Sequence, residues 1–90
     1  MTEVQKKEEC RNAVLEYLAA RPSVAQRVET IHRKLSKENP EFLLTDVSGA
    51  CEFLFELGYV KKCTEPLGST VYWQASASGQ LFVERNYGLK

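Results

Sequence analysis

Apolar residues recur at helical spacing in the first part of the chain. The segment from about Glu3 to Arg21 contains no Gly or Pro and is rich in good helix formers. Its apolar stripe consists of Cys10, Val14, Leu15, Tyr17 and Leu18. Pro22 follows, and the residue before a proline is disfavoured in the α region. The pattern therefore predicts one long amphipathic helix that buries this stripe.

A second periodic run follows Ser23. Its apolar positions, spaced by four, three and four residues, are Val24, Val28, Ile31 and Leu35. The outward positions of the predicted helix are polar and mostly basic: Gln26, Arg27, Thr30, Arg33, Lys34 and Lys37. Basic residues at the C-terminal end suit the helix dipole, and Asn39-Pro40 predicts a break.

A third helix is predicted from about Thr45, with a Thr or Asp cap on its first turn, to Leu57. The residues expected on its inner side are Val47, Ala50, Cys51, Leu54, Phe55 and Leu57. The outward positions are Asp46, Ser48, Gly49, Glu52, Phe53 and Glu56. Gly58 predicts the end of this helix, because glycine tolerates the positive φ of a C-terminal cap.

Two β-rich stretches, Tyr59–Thr64 and Thr70–Ala75, flank a turn rich in Pro and Gly and predict a hairpin. Alternation places Val71, Trp73 and Ala75 on the inner face, with Tyr72 and Gln74 outward. A capping serine, Ser76, then begins a short apolar run that predicts a terminal helix ending before Tyr87. Gly79 is the one unfavourable residue in it.

Length and charge limit the function classes. Ninety residues, 43% hydrophobic and 27% charged, predict one domain over residues 1–90, of the α+β class and mainly helical. Twelve Lys and Arg balance twelve Asp and Glu, so attraction to a polyanion requires local clustering. With no apolar stretch of about 20 residues and no signal-peptide core at the N-terminus, we expect a cytoplasmic protein without a membrane partner.

Catalytic and metal-binding patterns are not evident. The three cysteines, Cys10, Cys51 and Cys63, lack Cys-x-x-Cys spacing, and the chain has a single histidine, His32. We expect buried reduced thiols, a packed or surface histidine, no metal, no cofactor and no enzymatic activity. Trp73 is expected to be a core residue rather than a base-stacking platform.

Two local segments carry a family resemblance. In residues 54–62, LFELGYVKK, a leucine-rich helix end passes through glycine to an apolar pair and basic residues. In residues 72–82, YWQASASGQLF, an aromatic strand leads into a Ser-x-x-Gly helix start. Together with the order of elements, these segments resemble the winged helix-turn-helix domains of bacterial and phage regulators such as MarR-like, ArsR-like and PadR-like proteins.

The resemblance implies a three-helix core, a hairpin wing and a C-terminal helix. It also implies a transcriptional regulator whose third helix enters the major groove of double-stranded DNA, as a homodimer on two half-sites. The candidate DNA-binding residues are Arg27, Arg33, Lys34 and Lys37 on the second helix, Thr45, Ser48, Gly49 and Glu52 on the third, and Lys61 and Lys62 on the first wing strand.

The third helix departs from this pattern, because it carries three acidic residues and no basic one. Glu52 can accept a hydrogen bond from a cytosine amino group, but acidic residues repel phosphates. The basic residues are either a phosphate-positioning stripe or ordinary solvated charges. The alternative function is a protein-interaction module that uses Phe53 and Glu56. For Phe53 itself we favour packing under the loop around Phe42 and Leu43.

Overall fold

The computed structural model of this protein describes residues 2–65 and 67–87, the last of them by its backbone only. Four helices and one antiparallel hairpin are present in these ranges. In chain order they are α1 (Glu3–Ala19), α2 (Val28–Leu35), α3 (Leu44–Glu56), β1 (Val60–Thr64), β2 (Val71–Ala75) and α4 (Ala77–Tyr87). The α+β class is confirmed, whereas Pro66 of the predicted turn lies outside the described residues.

Helix α1 begins with reciprocal capping by Thr2 and Gln5. The backbone N–H of Gln5 donates to the Thr2 hydroxyl, and the backbone N–H of Thr2 donates to the Gln5 side-chain carbonyl, both at 3.1 Å. The residues buried on its inner side are Cys10, Val14, Leu15 and Leu18. The predicted helix is confirmed, although it ends at Ala19, two residues before Arg21.

The predicted start of the second helix is wrong. Gln26 pairs its backbone with Trp73 instead: each N–H donates to the other's carbonyl, at 2.8 and 2.7 Å. The Gln26 side chain, predicted to point outward, is buried and accepts a hydrogen bond from the Tyr17 hydroxyl at 2.6 Å. Because this pairing uses the backbone groups that a helix would need, α2 begins only at Val28, and Val24 is exposed.

Helix α3 begins one residue before the predicted Thr45, and Leu43 occupies the cap position. The Asp46 carboxylate accepts from the backbone N–H of Leu43 at 2.9 Å, so the acidic residue caps this end from inside the first turn. Val47, Ala50, Cys51 and Leu54 are buried as predicted. Phe55 and Leu57 are not, being 42% and 52% exposed, because their positions fall on either flank of the buried stripe.

Gly58 reverses the chain at the end of α3. It has a φ of 83°. Its N–H donates to the carbonyl of Phe55 at 3.0 Å, and the next N–H, of Tyr59, donates to Leu54 at 2.9 Å. This is a Schellman motif, in which the left-handed residue is usually glycine. The predicted glycine stop is confirmed.

The hairpin lies with one face towards the helices. Its register pairs Val60 with Ala75 and Lys62 with Trp73. Val60, Trp73 and Ala75 are buried. Since side chains alternate along a strand, Lys62 shares this inner face and Lys61 lies on the outer one.

Helix α4 packs closely against the start of the hairpin. The Ser76 hydroxyl accepts from the N–H of Gly79 at 3.1 Å, which confirms the predicted cap. A Cβ at Gly79 would overlap with the carbonyl oxygen of Tyr59, so glycine is needed here for close approach and not for flexibility. The helix includes Tyr87, one residue more than predicted.

One interior joins the elements. Ile31, Leu54 and Trp73 belong to a single buried cluster, and Val28 packs against it. Helix α1 contacts α2, α3, α4 and β2, so it forms the back of the core. This arrangement leaves one edge of α3 along the hairpin and the other along α1.

Candidate nucleic-acid interface

A groove runs between the start of α2, the outer part of α3 and the hairpin. Four of the predicted DNA-binding residues line it: Arg27, Ser48, Glu52 and Lys62. Arg27 comes from the cap position of α2, and Ser48 and Glu52 lie one turn apart on α3. The pairing between Gln26 and Trp73 holds the Arg27 backbone beside the hairpin. The fold thus brings residues from three separate segments to one surface.

Lys62 is held over α3 by one ion pair and two aromatic rings. Its Nζ lies 3.6 Å from Oε2 of Glu52 and 5.6 Å from the ring centroids of both Phe55 and Trp73. The two rings meet edge to face, with centroids 6.2 Å apart. Phe55, predicted inside the core, instead supports this lysine at the surface.

Lys61 occupies the opposite face of the hairpin, beside Gln74, and is exposed. Gln74 reaches back from this face to donate to the carbonyl of Pro22 at 2.7 Å. Tyr72, on the same face, donates its hydroxyl to Glu65 at 2.7 Å, and this bond raises the tyrosine pKa. The adjacent pair Lys61 and Lys62 therefore does not act as one basic patch.

The outward stripe of α3 consists of Thr45, Gly49, Glu52 and Glu56, all exposed. Thr45 and Gly49 also border a second hollow with Lys7, Cys10 and Arg11 of α1. The two basic residues of α1, spaced four apart on one helix face, were not among the predicted site residues. They become candidates for the interface only because the fold places them beside Thr45 and Gly49 of α3.

The Asp46 carboxylate has both a backbone and a basic partner within the fold. The backbone N–H of Leu43 holds the pKa of its carboxyl below the usual value, with a further contribution from Lys6, whose Nζ lies 3.1 Å away. Glu52 has a single basic partner, Lys62. Two of the three acidic residues of α3 thus have basic partners, which reduces the repulsion of phosphates that we expected from the sequence of this helix.

The remaining basic residues of the predicted set lie at the other end of α2. Arg33 and Lys34 belong to its last turn, and Lys37 follows in the turn beyond it; all three are exposed. The predicted basic stripe is therefore divided into three parts. Arg27 and Lys62 line the groove, the three residues at the end of α2 form a second group, and Lys61 lies alone on the outer face of the hairpin.

Phe53 packs against α1 and not under the loop around Phe42. The Arg11 guanidinium lies 3.6 Å from the centre of the Phe53 ring. Phe53 also borders a hollow with Leu57, Tyr59 and Phe82 on the side of α3 away from the hairpin. Glu56 is exposed on the last turn of α3.

Two of the three cysteines, Cys10 and Cys51, are buried as expected, whereas Cys63 is only half-buried. Burial raises the pKa of the Cys10 thiol to about 11 and that of Cys51 to about 12, so both are neutral thiols near pH 7. The Nε2 atom of His32 lies 3.0 Å from the carbonyl oxygen of Phe42. Among the described residues, no group of three or more His, Cys, Asp or Glu side chains is placed to hold a metal ion.

None of the helices in the described part of the chain is long and apolar enough to cross a membrane. No family model, curated protein or solved structure matches the chain.

Proposed function

We propose that this protein is a small winged-helix regulator of bacterial or phage type that binds double-stranded DNA. Three features support the proposal: the helix, helix, helix, hairpin, helix order, the hairpin placed beside α3, and the short pairing of Gln26 with Trp73 that ties the start of α2 to the hairpin. The observation that carries it is the groove in which Arg27 and Lys62 flank Ser48 and Glu52.

In the proposed complex the outward stripe of α3 faces the major groove, which is wide enough for an α-helix. Arg27 and Lys62 contact phosphates on its flank and fix the register. Ser48 and Thr45 offer hydroxyls to base edges or phosphates. Glu52 accepts from a cytosine amino group.

The ion pair between Lys62 and Glu52 is compatible with this use. Both side chains are partly exposed, 35% and 54%. Exposed pairs of this kind stabilise by only about 0.2–1 kcal/mol. A DNA phosphate can therefore replace Glu52 as the partner of Lys62, which leaves the Glu52 carboxylate free to accept a hydrogen bond from a base.

Fluorescence anisotropy of a labelled duplex tests the proposal. We expect binding that weakens steeply between about 50 and 200 mM salt. Lys62→Ala should weaken binding and reduce the salt slope by about 1. Lys61→Ala is the matched control, because it removes the same charge from the opposite face, and it should bind like the wild type. Failure of the wild type to bind at low salt would overturn the proposal.

The hollow on the other side of α3 favours a second candidate function, docking of a protein partner. Phe53 lines this hollow together with Leu57 and Phe82. Phe53→Ala combined with Glu56→Lys should abolish binding of a protein recovered with the wild type, with the thermal midpoint of unfolding close to that of the wild type. Undiminished binding would exclude this surface.

A further inference from the structure

We propose that Lys7 and Arg11 of α1 form a second phosphate-binding site, across α3 from Arg27 and Lys62, and that this site takes a phosphate of the DNA backbone. The site depends on the proposed function, because its ligand is the same duplex. It adds α1, which carries none of the predicted DNA-binding residues, to the elements that contact DNA.

A hollow between the first half of α1 and the start of α3 contains the two side chains. Lys7 and Arg11 are four residues apart and therefore lie on one face of α1, and both border the hollow together with Thr45 and Gly49 of α3. Its volume is about 180 Å³, the space of about six water molecules in the liquid. The hollow is thus large enough for a phosphate group and part of its hydration shell, between two cations and a hydroxyl.

The hollow keeps a positive charge although Asp46 also borders it. The Asp46 carboxylate accepts from the backbone N–H of Leu43 at 2.9 Å and lies 3.1 Å from Nζ of Lys6. Lys6 therefore balances Asp46, and the charges of Lys7 and Arg11 remain for an anion.

Both cations are available to a ligand. Among the described residues neither Lys7 nor Arg11 forms an ion pair, and Lys7 is exposed. The Arg11 guanidinium lies over the Phe53 ring, 3.6 Å from its centre, and such a contact leaves its N–H donors free for an oxyanion. Glu8, three residues before Arg11, borders the neighbouring hollow with Phe53 and not this one.

Gly49 is a second, independent observation that points to a ligand here. It lies inside α3, where glycine is less favourable than alanine, and a Cβ at this position would meet no atom within 4 Å. No contact within the described fold therefore requires the glycine. A helix without a side chain at this point lets another backbone approach closely, and Lys7 and Arg11 border the same hollow.

The position of the hollow matches the shape of the DNA major groove. At one edge of α3 the groove holds Arg27 and Lys62, and at the other edge the hollow holds Lys7 and Arg11. The major groove is about 12 Å wide and has a phosphate backbone on each side. A helix that lies in it has phosphates along both edges, and α3 presents cations to both. Contacts with the two backbones together fix the orientation of the helix.

Anisotropy titrations of a labelled duplex at several salt concentrations test the site. Each phosphate contact that is lost reduces the slope of log affinity against log salt by about 1. We expect this reduction for Lys7→Ala, and a reduction of about 2 for Lys7→Ala combined with Lys62→Ala, because the two contacts lie at separate edges. Lys61→Ala is the matched control, since it removes the same charge from the outer face of the hairpin, and its slope should equal that of the wild type.

Gly49→Ala provides the second arm. It should bind the duplex more weakly than the wild type although its thermal midpoint of unfolding is higher, a combination that loss of folding cannot produce. If Lys62→Ala lowers the slope and Lys7→Ala behaves like Lys61→Ala, the second site is overturned and the proposed function stands. Binding by Gly49→Ala as tight as that of the wild type would also overturn the site. A wild type that does not bind duplex DNA overturns both proposals.

Discussion

The two sides of α3 use charged residues in different ways. On the hairpin side, Glu52 meets Lys62 through two partly exposed side chains, with no backbone group in the contact. On the side facing α1, Asp46 binds the backbone N–H of Leu43 as well as Lys6. The first contact can be exchanged for a ligand at small cost, whereas the second is part of the helix start.

Aromatic residues show the same contrast. Phe55, on the hairpin side, is exposed and supports the ammonium group that we assign to phosphate binding. Phe53, on the other side, is covered by Arg11 and belongs to an apolar surface. One helix therefore separates the proposed phosphate-binding surface from an apolar one, and substitutions on the two sides should affect different measurements.

The largest expected effect comes from Gly79, which sets the distance between α4 and the hairpin. Gly79→Ala places a methyl group against the Tyr59 carbonyl, and overpacking of this kind costs about 1–3 kcal/mol of unfolding free energy. Urea denaturation followed by the fluorescence of the single tryptophan measures it.

Gly49→Ala is the control for this substitution. A Cβ at Gly49 meets nothing within 4 Å, and the residue lies inside α3. Alanine there should stabilise the protein by about 0.5–1 kcal/mol. Equal stability of the two variants would show that α4 does not approach Tyr59 as closely as described.

A smaller effect is expected on the α1 side of α3. Asp46→Ala removes the acceptor of the Leu43 N–H and should lower the unfolding free energy by about 1 kcal/mol at neutral pH. The pKa of Asp46 is lower in the folded protein than its ordinary value of 3.8. The stability that the carboxylate contributes is therefore present above pH 3.8 and lost as the pH falls through the native pKa.

Urea titrations of the wild type and Asp46→Ala between neutral and acid pH check the predicted direction of this pH dependence. The difference between the two proteins should shrink on acidification. A constant difference down to the lowest pH would mean that the carboxylate is not the stabilising group.

The smallest effect is expected on the hairpin side. Glu52→Gln leaves Lys62 without its acidic partner, so affinity for duplex DNA should rise by up to about fivefold, which corresponds to an exposed ion pair of about 1 kcal/mol. Stability should hardly change. Anisotropy titrations of duplexes with and without cytosines should also show a weaker cytosine preference. Reduced affinity would mean that the ion pair helps binding instead of competing with it.

Local signals in the sequence were sufficient for much of the fold. The helix stop at Gly58, the cap at Ser76 and the inward position of Trp73 each depend on a few neighbouring residues, and all three are confirmed. The start of α2 was mispredicted because the helical spacing of Val24 was outweighed by the backbone pairing of Gln26 with a residue 47 positions later.

The candidate site was predicted less completely. Residue type identified Arg27 and Lys62, but the same criterion selected Lys61, which lies on the outer face of the hairpin. Whether a lysine faces α3 depends on strand register, and register is set by pairing with the second strand. The hollow bordered by Tyr59 and Phe82 was missed for a related reason, since its residues come from helices and a turn far apart in the chain.

Local patterns along the chain are enough to predict which segments form helices and strands, where most of them end, and which side of α1 is buried, because periodicity, caps and glycine act over a few residues. The pairing of charges, in contrast, is not a local property. The partners Lys6 and Asp46, and Glu52 and Lys62, come from different elements, and their pairing follows from how those elements pack. That packing gives two of the three carboxylates of α3 a lysine partner, so the helix presents less unpaired negative charge than its sequence suggests.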